Sequence, residues 1–280
     1  MKRILLLLLF PVSLFAQKDL PKQLDKLMQG FTEARGFSGT VLVMKDGKVL
    51  LRKGYGLANR EWNIPNTADT KFRIGSITKQ FTAACILQLA EENKLSVDDK
   101  LSKYYPDYPN GDNITIHMLL THTSGIANYT AIPGFDKVAT LTWPQDSIIA
   151  YFKNKPVSFK PGNGWNYSNS GFYLLGCIIE KVSGQSYNDY LRGHILDKLG
   201  MSNTGCDRMD SVLALRAYGY QMKNKKAYNA DVISLAWPFS AGMIYSTVDD
   251  LYKWDRALYD NEVLRDSSKK KMFTAYKHNY

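Results

Sequence analysis

Two β-rich runs joined by a tight-turn dipeptide constrain the fold most strongly. Residues 38–44 and 48–55 are rich in β-branched and other apolar side chains, and Asp46-Gly47 stands between them. Asp-Gly is typical of a two-residue hairpin turn, because it adopts positive φ angles. A lone hairpin is only marginally stable in water, so the sheet needs further strands or a covering helix. The amphipathic stretch 20–34 predicts such a helix.

From Ser76 onward the pattern becomes mostly helical, and later strand candidates are few, chiefly Ala241 to Ser246. Polar pairs at capping spacing predict further helix starts at Ser96 with Asp99, Thr142 with Gln145, Ser186 with Asp189, and Ser246 with Asp249. We therefore expect an α+β fold. It combines a mixed α/β lobe with an antiparallel sheet, about 17–75 and 235–280, with a mostly helical lobe, about 76–234.

The N-terminus has the layout of a secretory signal peptide. Lys2 and Arg3 precede an apolar run, and Ala16 stands before a plausible cleavage point at Gln17. The run is too short to span a bilayer. We expect residues 1–16 to be removed and residues 17–280 to form one catalytic domain. That domain is expected to be periplasmic or extracellular, without stable membrane insertion after cleavage.

The charge balance excludes some partners. The 280 residues carry a formal charge of +10, which falls to +8 when Lys2 and Arg3 are removed with the signal peptide. A basic chain can be attracted to anionic envelope polymers. The basic residues are scattered, except between Arg265 and Lys271, and export separates the chain from nucleic acid. We therefore expect no nucleic-acid partner.

Cysteine and histidine spacing gives no support for a metal site. The three cysteines show no metal-type spacing, and the four histidines form no H-E-x-x-H pair. Cys85 and Cys177 lie in apolar periodic segments, which predicts buried free thiols. We expect neither a metal nor an organic cofactor.

Ser76 and Lys79 form the first candidate catalytic pair. Residues three apart at the start of a helix share one face, so the Lys amine can reach the Ser hydroxyl. A neutral Lys can activate Ser as a nucleophile, and the helix N-terminus offers a positive field and a free N–H to an attacked carbonyl. The S-x-x-K pattern alone also fits a capping Ser with a solvated Lys, since it recurs at Ser267/Lys270 and Ser268/Lys271.

Tyr167 and Asn169 form the second candidate pair, directly before a predicted helix over 170–182. A Tyr near a cation can shuttle a proton, and an Asn can both donate to and accept from a substrate amide. The alternative is a loop Tyr packed on a capping Asn, because Tyr-x-Asn also occurs at Tyr108/Asn110 and Tyr259/Asn261.

Four segments together resemble one family. The chain is similar to the serine β-lactamase-related superfamily, in particular to the branch of class C β-lactamases, D-alanyl-D-alanine carboxypeptidases and related esterases. The resemblance covers nearly all of residues 20–260, in the family's order, and lies in Phe72 to Ala83, Leu119 to Ile126, Tyr167 to Gly184 and Ala241 to Leu251. It implies a β-lactamase/transpeptidase-like fold.

The resemblance also implies roles. Ser76 is the expected acylated nucleophile, Lys79 its proton partner, and Tyr167 the general base or leaving-group acid. Asn169 is expected to contact the substrate amide and Lys79. Tyr at 167 points away from class A enzymes, so no Glu-activated water is assigned. Ser124, beside a His in the second segment, is expected to be structural.

One family motif is not found. These enzymes carry Lys or His, one residue, then Gly on a late strand that supplies the second oxyanion N–H. Lys198-Leu199-Gly200 has a helical context instead. The sequence therefore resembles a C-terminally truncated member whose sheet lacks its C-terminal strands, and losing one oxyanion donor costs about 100- to 1000-fold in turnover.

Two functions remain open at this point. The first is a secreted serine acyl hydrolase acting through an acyl-enzyme on Ser76, with cell-wall D-alanyl peptides, β-lactams or small esters as substrates. The second is a non-catalytic or single-turnover protein that binds penicillin or cell-wall peptides, because it lacks the third motif.

Overall fold

Asp46 and Gly47 turn the chain between two antiparallel strands, as the dipeptide predicts. In the computed structural model, which describes residues 19–224 and 226–277, these two residues have φ of 49° and 74°. Strands β1 (Gly39–Lys45) and β2 (Lys48–Tyr55) pair from Gly39 opposite Tyr55 to Lys45 opposite Lys48. The predicted hairpin is confirmed.

The described residues combine helices with small antiparallel sheets, so the predicted α+β class is confirmed. The further strands are β3 (Leu57–Asn59), β4 (Ile64–Pro65), β5 (Phe72–Arg73), β6 (Gly205–Cys206), β7 (Tyr220–Lys223), β8 (Lys226–Asn229) and β9 (Ile244–Ser246). The helices are α1 (Leu20–Arg35), α2 (Thr78–Glu91), α3 (Ile116–Leu120), α4 (Phe135–Val138), α5 (Gln145–Lys153), α6 (Asn169–Ser183), α7 (Tyr187–Leu191), α8 (Phe239–Gly242), α9 (Val248–Ala257) and α10 (Asp266–Met272).

The chain forms two compact units, residues 19–70 with 215–218, and residues 71–214 with 219–277. In the first unit, helix α1 packs on strand β2, as its amphipathic pattern predicts. Asp25 on this helix accepts hydrogen bonds from Lys53 Nζ at 2.8 Å and Tyr55 OH at 2.7 Å. These contacts tie the helix to the hairpin. The predicted lobe boundaries stay a prediction.

In the second unit, α2 packs against α6, and both helices are buried along most of their length. The core around them is apolar and includes Phe81, Leu89, Leu174, Ile178, Tyr190 and Trp237. The thiols of Cys85 and Cys177 are free and buried, which confirms that prediction. The candidate catalytic residues all belong to this unit.

Strand β9 lies in the middle of a three-stranded antiparallel sheet, between β5 and β6. Phe72 pairs with Ser246, and Gly205 pairs with Tyr245. The strand predicted over Ala241 to Ser246 is therefore present from Ile244 to Ser246, whereas Ala241 and Gly242 lie in helix α8. Because β5 ends at Arg73, three residues before Ser76, this sheet anchors the chain at the entry to α2.

The predicted helix starts have mixed outcomes. Ser186 caps α7 by accepting from the N–H of Asp189, as predicted. The other three predictions are wrong in detail. Helix α9 is capped by Thr247, one residue later than predicted, because the Ser246 hydroxyl bonds Thr204 instead. The Thr142 hydroxyl hydrogen-bonds Ser234 instead of capping α5. Ser96 and Asp99 are hydrogen-bonded within a turn and do not begin a helix.

The predicted signal peptide at residues 1–16 lies outside the described residues and stays a prediction. Within residues 19–224 and 226–277, no helix combines the length and apolar character needed to cross a membrane.

A glycine pair tests the packing of the first unit. A Cβ at Gly54 in β2 would lie 2.1 Å from the backbone oxygen of Asn66, whereas a Cβ at Gly30 in α1 meets nothing within 4 Å. We expect Gly54→Ala to lower the free energy of unfolding by about 1–3 kcal/mol, because backbone must move. Gly30→Ala should raise it by about 0.5–1 kcal/mol, through helix propensity. Urea unfolding measures both, and equal effects would contradict the close approach at Gly54.

Candidate active site

Ser76 lies at the point where a strand gives way to the central helix. A 3-10 turn, Gly75–Ile77, joins β5 to α2, and Gly75 has a φ of 53°, in the left-handed region that favours glycine. Ser76 is exposed, and its N–H belongs to a first helical turn, where N–H groups have no partner within the helix. The hydroxyl and a donor N–H are therefore presented together to an approaching substrate.

Lys79 is buried one turn further along, with its amine 3.1 Å from the Ser76 hydroxyl. Its other two hydrogen bonds go to carbonyl oxygens, Oδ1 of Asn169 at 2.9 Å and the backbone oxygen of Ala241 at 2.8 Å. A neutral amine has two N–H groups and one lone pair. When both carbonyls accept an N–H, the lone pair is left facing the Ser76 hydroxyl.

Burial also changes the protonation of this amine. Removal from water lowers the pKa of Lys79 from 10.5 to about 7, because the ammonium form is poorly solvated at this position. Near neutral pH a large fraction of Lys79 is therefore uncharged. A neutral amine with its lone pair directed at a hydroxyl can accept the proton of that hydroxyl.

Tyr167 reaches the same hydroxyl from the other side. Its phenol donates a hydrogen bond of 2.6 Å to Ser76 Oγ, and its ring centroid lies 4.8 Å from Lys79 Nζ. Ser168 fixes the approach, because it caps α6 by accepting from the N–H of Gly171 at 3.2 Å. The phenol and the amine thus flank one oxygen, as a proton relay requires.

Asn169 is the first residue of α6, and its orientation is set by Asn128. Both the backbone N–H and the Nδ2 group of Asn169 donate to Asn128 Oδ1, at 3.1 and 3.2 Å. Nδ2 is therefore directed to Asn128 and Oδ1 to Lys79. The four candidate residues named from sequence all meet at this place, and their catalytic roles stay proposals.

Sequence reasoning missed Asn128 and the carbonyl of Ala241. Asn128 follows the second similar segment by two residues, which was its only signal in the sequence. A backbone carbonyl leaves no signal at all, because every residue carries one. Ser124, which was expected to be structural, accepts the N–H of Ile126 at 3.3 Å within its own loop.

Two cavities open beside Ser76. The first, about 620 Å³, runs along α2 past Lys79 and is lined by Gln80, Leu87, Leu120, Phe172 and Met272, among others. The second, about 340 Å³, borders Ser76 and Asn169 and has an apolar wall of Tyr129, Phe135, Ile233 and Trp237.

In the part of the chain that the structure describes, no group of three His, Cys, Asp or Glu side chains could hold a metal ion.

The sequence profile of the Beta-lactamase family matches residues 24–280. The chain belongs to the beta-lactamase family. The PbpX protein of Bacillus subtilis (strain 168) is 36% identical over 250 residues, which cover 89% of this chain. The chain spans 62% of the length of PbpX, less than two thirds of that relative.

Solved structures agree with this assignment. The penicillin-binding protein from Bacillus halodurans has a TM-score of 0.78 and 32% identity, over 90% of this chain and 79% of its own. The D-amino acid amidase from Ochrobactrum anthropi SV3, complexed with L-phenylalanine amide, has a TM-score of 0.77 and 27% identity, over 89% and 73%. The β-lactamase/transpeptidase-like fold implied by the sequence resemblance is thereby confirmed.

The protonation of Lys79 can be measured directly. In protein labelled with ¹³C,¹⁵N-lysine, we expect one side-chain NMR signal to titrate with a midpoint near 7, and Lys79→Met to remove it. Asn169→Asp should move the midpoint upward by about 1 or more, because a carboxylate would face the amine. A midpoint near 10 in the wild-type protein would contradict the role of burial.

Proposed function

We propose that this protein is an exported serine acyl hydrolase that forms a covalent acyl-enzyme on Ser76. The observation that carries the proposal is the position of Ser76 Oγ, 3.1 Å from the Lys79 amine and 2.6 Å from the Tyr167 phenol. Membership of the beta-lactamase family supports the same reaction class, because that family includes serine hydrolases.

Acylation begins when Ser76 Oγ attacks the substrate carbonyl carbon. The hydroxyl proton passes to the Lys79 amine as the new C–O bond forms, and the carbonyl π electrons move to oxygen. The N–H of Ser76 donates to this oxyanion, with the positive end of α2 behind it. When the tetrahedral intermediate collapses, the bond to the leaving group breaks. Tyr167 gives its proton to the departing nitrogen or oxygen, and Lys79 returns a proton to the phenolate.

Deacylation reverses these proton transfers. The Tyr167 phenol first passes its proton to the neutral Lys79 amine, and the resulting phenolate takes a proton from a water molecule as that water attacks the ester carbonyl. The bond between the acyl carbon and Ser76 Oγ then breaks, and the serine oxygen recovers a proton from Lys79. No group besides the substrate and water is consumed, so each turnover restores the starting state.

The proposed substrates are D-alanyl peptides of the cell wall, β-lactams or small esters. A relative named as a penicillin-binding protein and another named as a D-amino acid amidase support amide-like carbonyl substrates. The smaller cavity supports an apolar or aromatic substituent, because Tyr129, Phe135 and Trp237 form its wall beside the nucleophile. Asn169 lies at the border between this wall and Lys79, where a substrate amide would pass.

A second candidate function uses the same acylation without turnover. The Bacillus halodurans relative is named for penicillin binding. A protein with slow deacylation would keep the acyl group on Ser76. Such a protein would bind penicillin once rather than hydrolyse it.

Replacement of the nucleophile tests the proposal. We expect wild-type protein to be labelled covalently by a fluorescent penicillin and to hydrolyse a chromogenic ester. Ser76→Ala should abolish the label and lower ester turnover by at least about 1000-fold, because the attacking oxygen is gone. Ser267→Ala is the matched control, since Ser267 is the exposed serine of another S-x-x-K pattern, on α10.

The outcomes separate the two candidates. Ester turnover that depends on Ser76 supports the hydrolase, whereas a stable label without ester turnover supports the single-turnover protein. A label that persists in Ser76→Ala, or neither label nor turnover in the wild-type protein, would refute the proposal.

The pH dependence of acylation tests the role of Lys79. Because only the neutral amine accepts the Ser76 proton, the labelling rate should rise about tenfold per pH unit below about 7 and level off above it. The measurement is the pseudo-first-order rate of fluorescent-penicillin labelling. A rate that stays constant from about pH 5 to about pH 8 would rule out Lys79 as the proton acceptor.

A further inference from the structure

His122 is held in a conformation that few residues adopt. It is fully buried, and its φ of 57° lies in the left-handed region. Non-glycine residues in that region are uncommon and hold a strained backbone, which persists only where surrounding contacts impose it. Several contacts of His122 go to the loop that carries Tyr167.

His122 accepts two hydrogen bonds, one from the residue before that tyrosine and one from the residue after it. The N–H of Asn166, the residue before Tyr167, donates to the backbone oxygen of His122 at 3.0 Å. The N–H of Ser168, the residue after it, donates to Nδ1 of the His122 ring at 3.1 Å. One residue thus fixes the backbone on both sides of Tyr167.

The ring of His122 also supports the tyrosine side chain. Its centroid lies 4.6 Å from the Tyr167 ring and 5.2 Å from the Phe172 ring. Burial, with a further contribution from the charge of Lys79, lowers the pKa of His122 to about 3. The ring is therefore neutral at physiological pH, and the hydrogen bond from the Ser168 N–H assigns the unprotonated position of the ring to Nδ1.

We propose that His122 is the positioning residue for Tyr167, holding its phenol within hydrogen-bond distance of Ser76. The catalytic meaning of this position rests on the proposed function. The physical reason is the length of the side chain. The phenol oxygen lies at its far end, so a small shift of the Tyr167 backbone moves this oxygen beyond hydrogen-bond distance of Ser76. A misplacement of about 1 Å at a reacting group can cost about 100-fold in rate.

Three variants of His122 separate positioning from packing. His122→Phe keeps a ring but removes the acceptor for the Ser168 N–H, and His122→Ala, as a second loss variant, removes both. We expect each to slow fluorescent-penicillin labelling by about 10- to 100-fold. His122→Asn places Oδ1 near the position of Nδ1 and tolerates positive φ, so it should retain labelling within about fivefold of wild type.

A matched control is a second histidine of the same compact unit, His194. His194 is half-buried, its Nδ1 lies 3.0 Å from the backbone oxygen of Tyr190, and its ring stacks on that tyrosine at 3.9 Å. It does not line either cavity beside Ser76 among the described residues. His194→Asn should therefore leave the labelling rate unchanged.

The deciding measurement is whether the effect of a His122 variant on the labelling rate depends on the Tyr167 hydroxyl. If His122 acts through Tyr167, then in a Tyr167→Phe background His122→Phe should slow labelling by less than about threefold further, because the hydroxyl is already absent. A full additional loss in that background would overturn the proposal. Folded His122→Phe or His122→Ala protein labelled at the wild-type rate would overturn it too.

Amide exchange gives a readout that needs no activity. We expect the N–H of Ser168 to exchange with deuterium about tenfold faster in His122→Phe and His122→Ala than in the wild-type protein or His122→Asn. Faster exchange in a protein that is never acylated would sustain the positioning role and defeat the proposed function. Unchanged exchange in both loss variants would defeat the positioning role, whatever the labelling shows.

Discussion

A buried amine held between two carbonyl oxygens is the interaction on which the rest of the site depends. Lys79 bonds Asn169 and the backbone of Ala241, which lie 90 and 162 residues further along the chain. These two carbonyls leave the lone pair of the neutral amine facing Ser76. Burial lowers the pKa of Lys79, so that this neutral form is accessible near pH 7. A displacement of any contributing helix would change both the direction and the basicity of that nitrogen.

The position of the Ala241 carbonyl follows from close packing around its neighbour, Ser240. The Ser240 hydroxyl donates to the backbone oxygen of Phe172 at 2.8 Å, and its own backbone oxygen accepts from Thr82 at 2.6 Å. Helix α8 is thereby bonded to α6 on one side and to α2 on the other. This approach needs Gly176 on α6, because a Cβ there would lie 2.1 Å from the Ser240 hydroxyl.

The site combines two features that do not favour stability by themselves. An amine is buried at Lys79, and His122 adopts a left-handed backbone. Features of this kind concentrate where geometry is needed for chemistry, and the surrounding packing must hold them in place. Here the support comes from the apolar core of α2 and α6, which is large and continuous.

Local patterns predicted much of this structure. The Asp46-Gly47 hairpin, helix α1 and the Ser76–Lys79 pair all follow from spacings of a few residues. Helix caps were predicted less well, because a hydroxyl such as that of Ser246 can bond a distant partner instead of its own helix. The pairing of β9 with β5 joins residues far apart in the chain, so its register was not readable from either strand.

The sequence by itself determined which residues could share a helical turn, because turns and helical faces depend on neighbours in the chain. It also determined the resemblance that implied roles for Tyr167 and Asn169. Only the tertiary structure decided that the Tyr167 phenol lies 2.6 Å from the Ser76 hydroxyl and that Lys79 is buried. Desolvation and contacts between distant segments arise when helices pack together, and no short stretch of sequence contains them.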